Sequence, residues 1–219
     1  MFELVEKFIT IGGESPLIGI PIYLIRFSGC NLDCNYCDTP YKNEVNDNYT
    51  SKELLDDISN KVKEYTELKI LFTGGEPFLE NRQEELLKII SELENIDFYI
   101  ETNGSIKLLN FSLNNCYYIL DWKSPSSNFN DSFIIENLNK LRIDKDCIKF
   151  VINAADFEWL KETIKFIQKI NPFISLYVSP QYGKLSLEET ADFILKNRLP
   201  LKLSFQLHKI VWPNKDRGI

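Results

Sequence analysis

Short apolar runs alternate with longer segments whose apolar residues recur at three- and four-residue spacing, from residue 20 to residue 205. The runs 20–27, 68–73, 96–101, 117–121, 148–152, 174–178 and 201–205 are too short for helices and too evenly apolar for one-sided strands, so they predict strands buried on both faces. Between them, Thr50-x-x-Glu53 forms a capping box ahead of Leu54, Leu55, Ile58, Val62 and Tyr65, and Leu86, Leu87, Ile90 and Leu93 share one side of a second helix. Further helices are expected over 132–141, 156–170 and 186–197, the last opened by Ser186-x-x-Glu189. Residues 1–8 alternate loosely and predict a short edge strand; the polar stretch 42–48 predicts a loop.

Strands alternating with helices pair in parallel through right-handed crossovers. About six or seven such units are too few for a complete eight-stranded barrel, so the expected fold is α/β, an incomplete (β/α)6-type parallel barrel open on one side. The polar residues that stand out follow strand ends: Cys30 onward, Gly74-Gly75, Glu101-Thr102-Asn103, Asp121 to Ser124, and Ser179-Pro180-Gln181. In parallel α/β folds ligands bind at that edge.

Bulk properties narrow the classes. A chain of 219 residues, 44% hydrophobic, suits one well-buried domain over 1–219. No apolar run approaches a membrane span. A formal charge of −7 argues against broad nucleic-acid binding, which needs Lys and Arg to displace counterions. The five cysteines, with no secretion signal ahead of them, point to a reducing, cytoplasmic setting. Cys116 and Cys147 adjoin apolar strand residues and are expected as buried thiols.

The sharpest chemistry lies in Cys30-x3-Cys34-x2-Cys37, directly after the strand 20–27. Three thiolates on a short loop can hold one face of an iron–sulfur cluster, and without a fourth cysteine one iron keeps an open position. A zinc knuckle completed by a distant ligand uses the same residue types. Gly12-Gly13 reads as a tight turn presenting Glu14, whose two oxygens suit paired N–H donors, and Arg26 at a strand end suits a carboxylate or a neighbouring acid. His208, the single histidine, is as readily structural as chemical.

The cysteine spacing and Gly74-Gly75-Glu76-Pro77 resemble the radical S-adenosylmethionine (SAM) superfamily. Within it, Cys37-Asp38-Thr39, Glu101-Thr102-Asn103-Gly104, Asp121-Trp122-Lys123-Ser124-Pro125 and Gln206-Leu207-His208-Lys209 resemble the family of 7-carboxy-7-deazaguanine synthases. The resemblance implies a 4Fe–4S cluster on Cys30, Cys34 and Cys37, SAM, and magnesium on Thr39. It implies SAM contacts at Tyr36, Asp38, Gly74, Gly75, Glu76, Glu101, Asn103, Lys123 and Ser124. Contacts to a pterin substrate would come from Gly12, Gly13, Glu14, Arg26, Thr73, Gln181 and His208. Gly12 and Ser15 depart from the family's Gln-Gly-Glu-Gly loop, so only Gly13 and Glu14 carry over directly. The implied reaction cleaves SAM reductively and contracts 6-carboxy-5,6,7,8-tetrahydropterin to 7-carboxy-7-deazaguanine, releasing ammonia. An electron donor such as flavodoxin or ferredoxin, a homodimer, and closure of residues 200–219 over the substrate are implied with it. A glycyl-radical-enzyme activase shares the cysteine and glycine motifs but leaves the Asp121 and Gln206 stretches without a role. A non-catalytic iron–sulfur protein is the reading from another class.

Overall fold

Residues two apart along each strand divide into two sets, and that division builds the molecule. The structure is a computed structural model and describes residues 1–110, 113–215 and 217–218. Its strands are β1 (Phe2–Ile11), β2 (Pro21–Phe27), β3 (Asp47–Tyr49), β4 (Lys69–Gly74), β5 (Phe98–Thr102), β6 (Cys116–Asp121), β7 (Cys147–Ile152), β8 (Ser175–Pro180) and β9 (Lys202–Leu203). The helices are α1 (Ser51–Glu64), α2 (Arg82–Glu92), α3 (Phe157–Ile170), α4 (Leu187–Asn197) and α5 (Leu207–Val211). One sheet joins all the strands in the order β3-β1-β2-β4-β5-β6-β7-β8-β9 and does not close. From β2 to β9 the neighbours are parallel, whereas β1 lies antiparallel on β2 and β3 antiparallel on β1.

One set of strand side chains, including Ile25, Phe72, Ile100, Leu120, Phe150 and Val178, packs against Leu54, Leu86, Ile90, Leu160 and Ile164 of the helices in the main core. The other set, Ile22, Leu24, Leu71, Ile119 and Cys147, forms with Leu17 of the β1–β2 connection a smaller apolar floor on the opposite face. Because side chains alternate with a period of two, the next residue on the floor's face is two positions on, toward the strands' C-terminal ends. There the apolar floor gives way to Arg26, Thr73, Glu101, Asp121 and Lys149.

The structure corrects four expectations. Residues 1–8 belong to a ten-residue strand that is not at the edge, since β3 pairs with it where a loop was expected. Burial of Phe2 and Leu4 holds it there. Residues 132–141 form no α-helix but two 3-10 turns, Asn130–Ser132 and Ile135–Lys140. The fully buried Asn137 explains this: its amide accepts from Leu108 N and donates to Gly104 O and Ile106 O, satisfying backbone groups of another segment instead of sitting on a helix face. The last strand shrinks to Lys202–Leu203: Ser204 N still donates to Val178 O at 2.8 Å, but its Oγ accepts from Ser15 N at 2.8 Å and the chain then leads into α5.

Candidate active site

The polar rung of the inner face, the cysteine loop after β2 and the chain after β9 border one cavity of about 790 Å³. Of the residues expected at the site, Gly12, Gly13, Glu14, Arg26, Cys30, Cys34, Tyr36, Cys37, Asp38, Thr39, Thr73, Gly74, Gly75, Glu101, Asn103, Lys123, Gln181 and His208 all line it. Glu76 and Ser124 do not. Glu76 is fully buried and accepts from Phe78 N at 3.0 Å, Thr102 Oγ1 at 2.7 Å and Asn103 N at 2.8 Å, bracing the turn after β4 to the end of β5. Ser124 is fully buried, donates to Val151 O at 2.8 Å and lies 3.3 Å from the Tyr36 hydroxyl.

The cysteine loop is held from both sides. Gly29 N donates to Lys42 O at 2.8 Å, Asn35 N to Ser127 O at 3.2 Å, and Cys37 N to Cys34 O at 3.1 Å. The turn after β4 presses against it through Gly75 N to Phe27 O at 3.0 Å and Glu76 N to Gly29 O at 2.8 Å. All three thiols are free. Burial pushes the Cys30 and Cys34 thiols up, while Lys42 and Lys123 respectively draw them back toward thiolate. Among the described residues no three His, Cys, Asp or Glu side chains converge tightly enough to hold a single ion. The donor set instead suits a larger soft-metal group: three uncrosslinked thiols face one open space, while Cys116 and Cys147 lie buried elsewhere with thiols pushed up to about 12.

Opposite charges interleave around the cavity. Lys149 Nζ lies 2.5 Å from Glu14 Oε2 and 2.6 Å from Glu101 Oε1, and Lys123 Nζ lies 2.7 Å from Asp121 Oδ2. Burial disfavours the charge of Lys149, but Glu101, Glu14 and Asp121 outweigh it and hold the ammonium well above its ordinary range. Asp121 Oδ1 is buried without a hydrogen-bond partner. Arg26 is not paired with Glu14: Nε meets Glu6 at 2.8 Å and Nη1 donates to Thr39 Oγ1 at 3.3 Å. Its Nη2 has no protein acceptor among the described residues. Burial raises the Asp38 carboxyl, but Lys149, Arg26 and Lys123 together keep it below the usual range.

The chain after β9 reaches back to the loop of Gly12 and Gly13. Leu207 N donates to Gly13 O at 2.9 Å, and Gln206 Nε2 donates to Glu14 Oε1 at 2.9 Å and Asp38 Oδ2 at 3.2 Å. A Cβ on Gly13 would stand 2.5 Å from His208 Nδ1, so the imidazole packs directly on that turn. Burial lowers the pKa of His208 more than Glu14 and Asp38 raise it, with Lys209 and Lys149 reinforcing the fall. Protons therefore bind the unfolded chain first. Stability present above the ordinary value of 6.5 is expected to fall as pH drops from there through the lower folded-state value. With a single histidine in the chain, one imidazole NMR resonance reports the titration, and His208→Gln should flatten this part of the stability–pH profile.

Sequence reasoning misses Lys149, and the signal was there: a lone lysine inside an apolar strand is rarely buried without partners. It also gives Gln206 no separate role, because a bridge between residues so distant in sequence leaves no local trace.

The model of the Radical SAM superfamily matches residues 24–194. The chain is 37% identical over 226 residues to the 7-carboxy-7-deazaguanine synthase of Clostridium acetobutylicum, covering 100% of this chain and 99% of that protein. It is 32% identical over 211 residues to the synthase of the same name from Thermoplasma acidophilum, covering 95% and 96%. The crystal structure of QueE from Escherichia coli aligns with a TM-score of 0.71 at 20% identity over 94% of this chain and 93% of that one, a likeness of fold.

Proposed function

The chain belongs to the 7-carboxy-7-deazaguanine synthase family of the radical SAM superfamily, and we propose that the residues around this cavity divide that family's reaction between them. The activity is that of a carbon–nitrogen lyase, the radical ring contraction of 6-carboxy-5,6,7,8-tetrahydropterin to 7-carboxy-7-deazaguanine and ammonia, with a 4Fe–4S cluster and SAM as cofactors. The comparisons lend no support to an activase or to a non-catalytic iron–sulfur protein.

One observation carries the division of roles: the cysteine loop borders the same cavity as the Glu14–Lys149–Glu101 array and Arg26. Cys30, Cys34 and Cys37 would hold the cluster, with no further cysteine lining the cavity to close its fourth position. When bound, the reduced cluster cleaves SAM to supply the radical that takes a hydrogen atom from the substrate. Gly74 and Gly75 offer backbone groups to the methionyl end of SAM, Tyr36 an aromatic face to its adenine, and Asn103 and Lys123 polar contacts to its ribose and carboxylate. Glu14, steadied by Gln206, accepts from the donor edge of the pterin, and Arg26 forks the substrate carboxylate. Because Lys149 ties Glu101 to Glu14, we assign Glu101 and its neighbour Thr73 to the substrate side. Gln181 and His208 complete that wall, where closure of residues 200–215 would exclude water.

Thr39 offers one neutral oxygen beside the Asp38 carboxylate, a pair of hard ligands that suits magnesium once substrate and water oxygens join it. Its hydroxyl already accepts from Arg26, so the ion would have to share that corner with a guanidinium. A low-potential flavodoxin or ferredoxin as electron donor, a homodimer and a cytoplasmic location complete the proposal. Among the described residues no helix is long and apolar enough to cross a membrane.

The test is anaerobic reconstitution with iron and sulfide, followed by SAM, dithionite, magnesium and 6-carboxytetrahydropterin, with products identified by mass spectrometry. Formation of 7-carboxy-7-deazaguanine with little net loss of SAM is expected. Cys34→Ala should abolish both the product and the cluster absorbance while leaving the fold, because Cys34 lines the cavity and carries no core packing. Cleavage of SAM with the pterin intact would overturn the substrate assignment.

A further inference from the structure

Lys42 stands five residues beyond the cysteine motif, yet its ammonium lies inside the cysteine loop. Its backbone closes the loop, accepting from Gly29 N at 2.8 Å and donating to Thr39 O at 3.1 Å. Its side chain then turns inward, and Nζ donates to Leu32 O at 3.0 Å and Asp33 Oδ1 at 2.9 Å. An ammonium has three N–H donors, so one is left without a protein acceptor among the described residues. The Lys42 side chain is 10% exposed, whereas its partner Asp33 is 94% exposed. Such a pair is lopsided: the carboxylate stands in water while the ammonium stands in the loop, and at 2.9 Å Asp33 opposes part of the cation's field. Both acceptors lie between Cys30 and Cys34 in the loop, and Lys42 lines the same cavity as Cys30, Cys34 and Cys37, so the charge sits among the sulfurs' own loop.

We propose that Lys42 is a positioning residue for the iron–sulfur group, pinning the cysteine loop and, through its charge, raising the reduction potential of the cluster held there. The inference rests on the assignment of that cluster to Cys30, Cys34 and Cys37. In the step concerned the cluster gains one electron from a one-electron reductant; its core falls from 2+ to 1+, and no bond is formed or broken. Three thiolates make the reduced site more negative still, so a nearby fixed cation favours the reduced state. Charge and hydrogen bonding near the sulfurs are recognised determinants of such potentials.

The experiment is a dithionite titration of the reconstituted chain with redox mediators, following the reduced-cluster EPR signal, in wild type, Lys42→Met, Lys42→Arg and Asp33→Asn. Lys42→Met is expected to hold about tenfold less reduced cluster at a fixed potential, a downward shift of about 59 mV for one electron. Lys42→Arg should titrate with wild type, and Asp33→Asn should shift upward at low ionic strength because it strips the opposing carboxylate from Lys42. A fully loaded Lys42→Met with the wild-type potential overturns the role of Lys42 while leaving the cluster assignment standing. If Lys42→Met takes up too little iron to titrate, Asp33→Asn decides: an upward shift supports the proposal, and no shift overturns it. A wild-type chain that yields no reduced-cluster signal overturns the cluster assignment and this proposal with it.

Discussion

A chain carrying Gly75→Ala is expected to lose nearly all iron uptake and to unfold at lower denaturant. A Cβ at residue 75 would stand 1.8 Å from the carbonyl oxygen of Gly29 and 3.0 Å from the Cβ of Cys30. Nothing on that side can give way cheaply, because the obstacle is backbone. The same carbonyl accepts from Glu76 N at 2.8 Å, so moving it away also breaks the bond that joins the turn after β4 to the cysteine loop. Overpacking of this kind costs about 3 kcal/mol at the upper end of its usual range. The displaced segment begins one residue before Cys30, so cluster assembly suffers more than global stability. Gly183→Ala is the control: its φ of +73° strains any other residue, but nothing lies within 4 Å of the added carbon. It should lose about 1 kcal/mol through backbone strain alone and take up iron as wild type does. Wild-type iron content in Gly75→Ala would show that the two loops separate freely, contrary to the packing described.

Lys149→Met is expected to cost about 3 kcal/mol, read from urea unfolding, and to weaken pterin binding sharply. The substitution keeps the bulk of the side chain in the wall but removes the charge between Glu14 and Glu101, leaving two carboxylates facing one another with 16% and 23% of their side chains exposed. Each then loses its nearest counter-charge, and breaking one partner from such an array costs more than the array itself contributes. Adding Glu101→Gln to Lys149→Met should recover much of the stability but not the binding, since the repulsion is relieved while the substrate wall stays altered. A double-mutant cycle measures that coupling directly. If the double variant is no more stable than Lys149→Met, the ammonium stabilises through packing and not through charge.

How much was legible in advance follows from how local each feature is. The parallel strands at 20–27, 68–73, 117–121 and 148–152 were readable because a strand buried on both faces leaves a short, mostly apolar run. The capping boxes at Thr50 and Ser186 were readable because their reciprocal bonds span three residues. The supposed helix at 132–141 was not, since Asn137 satisfies backbone groups about thirty positions away and spacing along the chain carries no record of it. The same limit explains Glu76 and Ser124. Their motifs suggested ligands, but buried partners on neighbouring strands claim their oxygens.

The sequence by itself determined the chemistry available: three soft thiols on one short loop, a glycine pair after a strand, and acids and cations at strand ends. Residue types and short spacings decide those things, because they depend on atoms a few bonds apart. Only the tertiary structure decided which of them share a space. Closing β1 and β3 onto the sheet, seating Lys149 between Glu14 and Glu101, and laying Gln206 across Glu14 and Asp38 all join residues tens to nearly two hundred positions apart. Such contacts are fixed by the register of a whole sheet and the burial of its two faces, quantities that belong to the folded chain and to no segment of it.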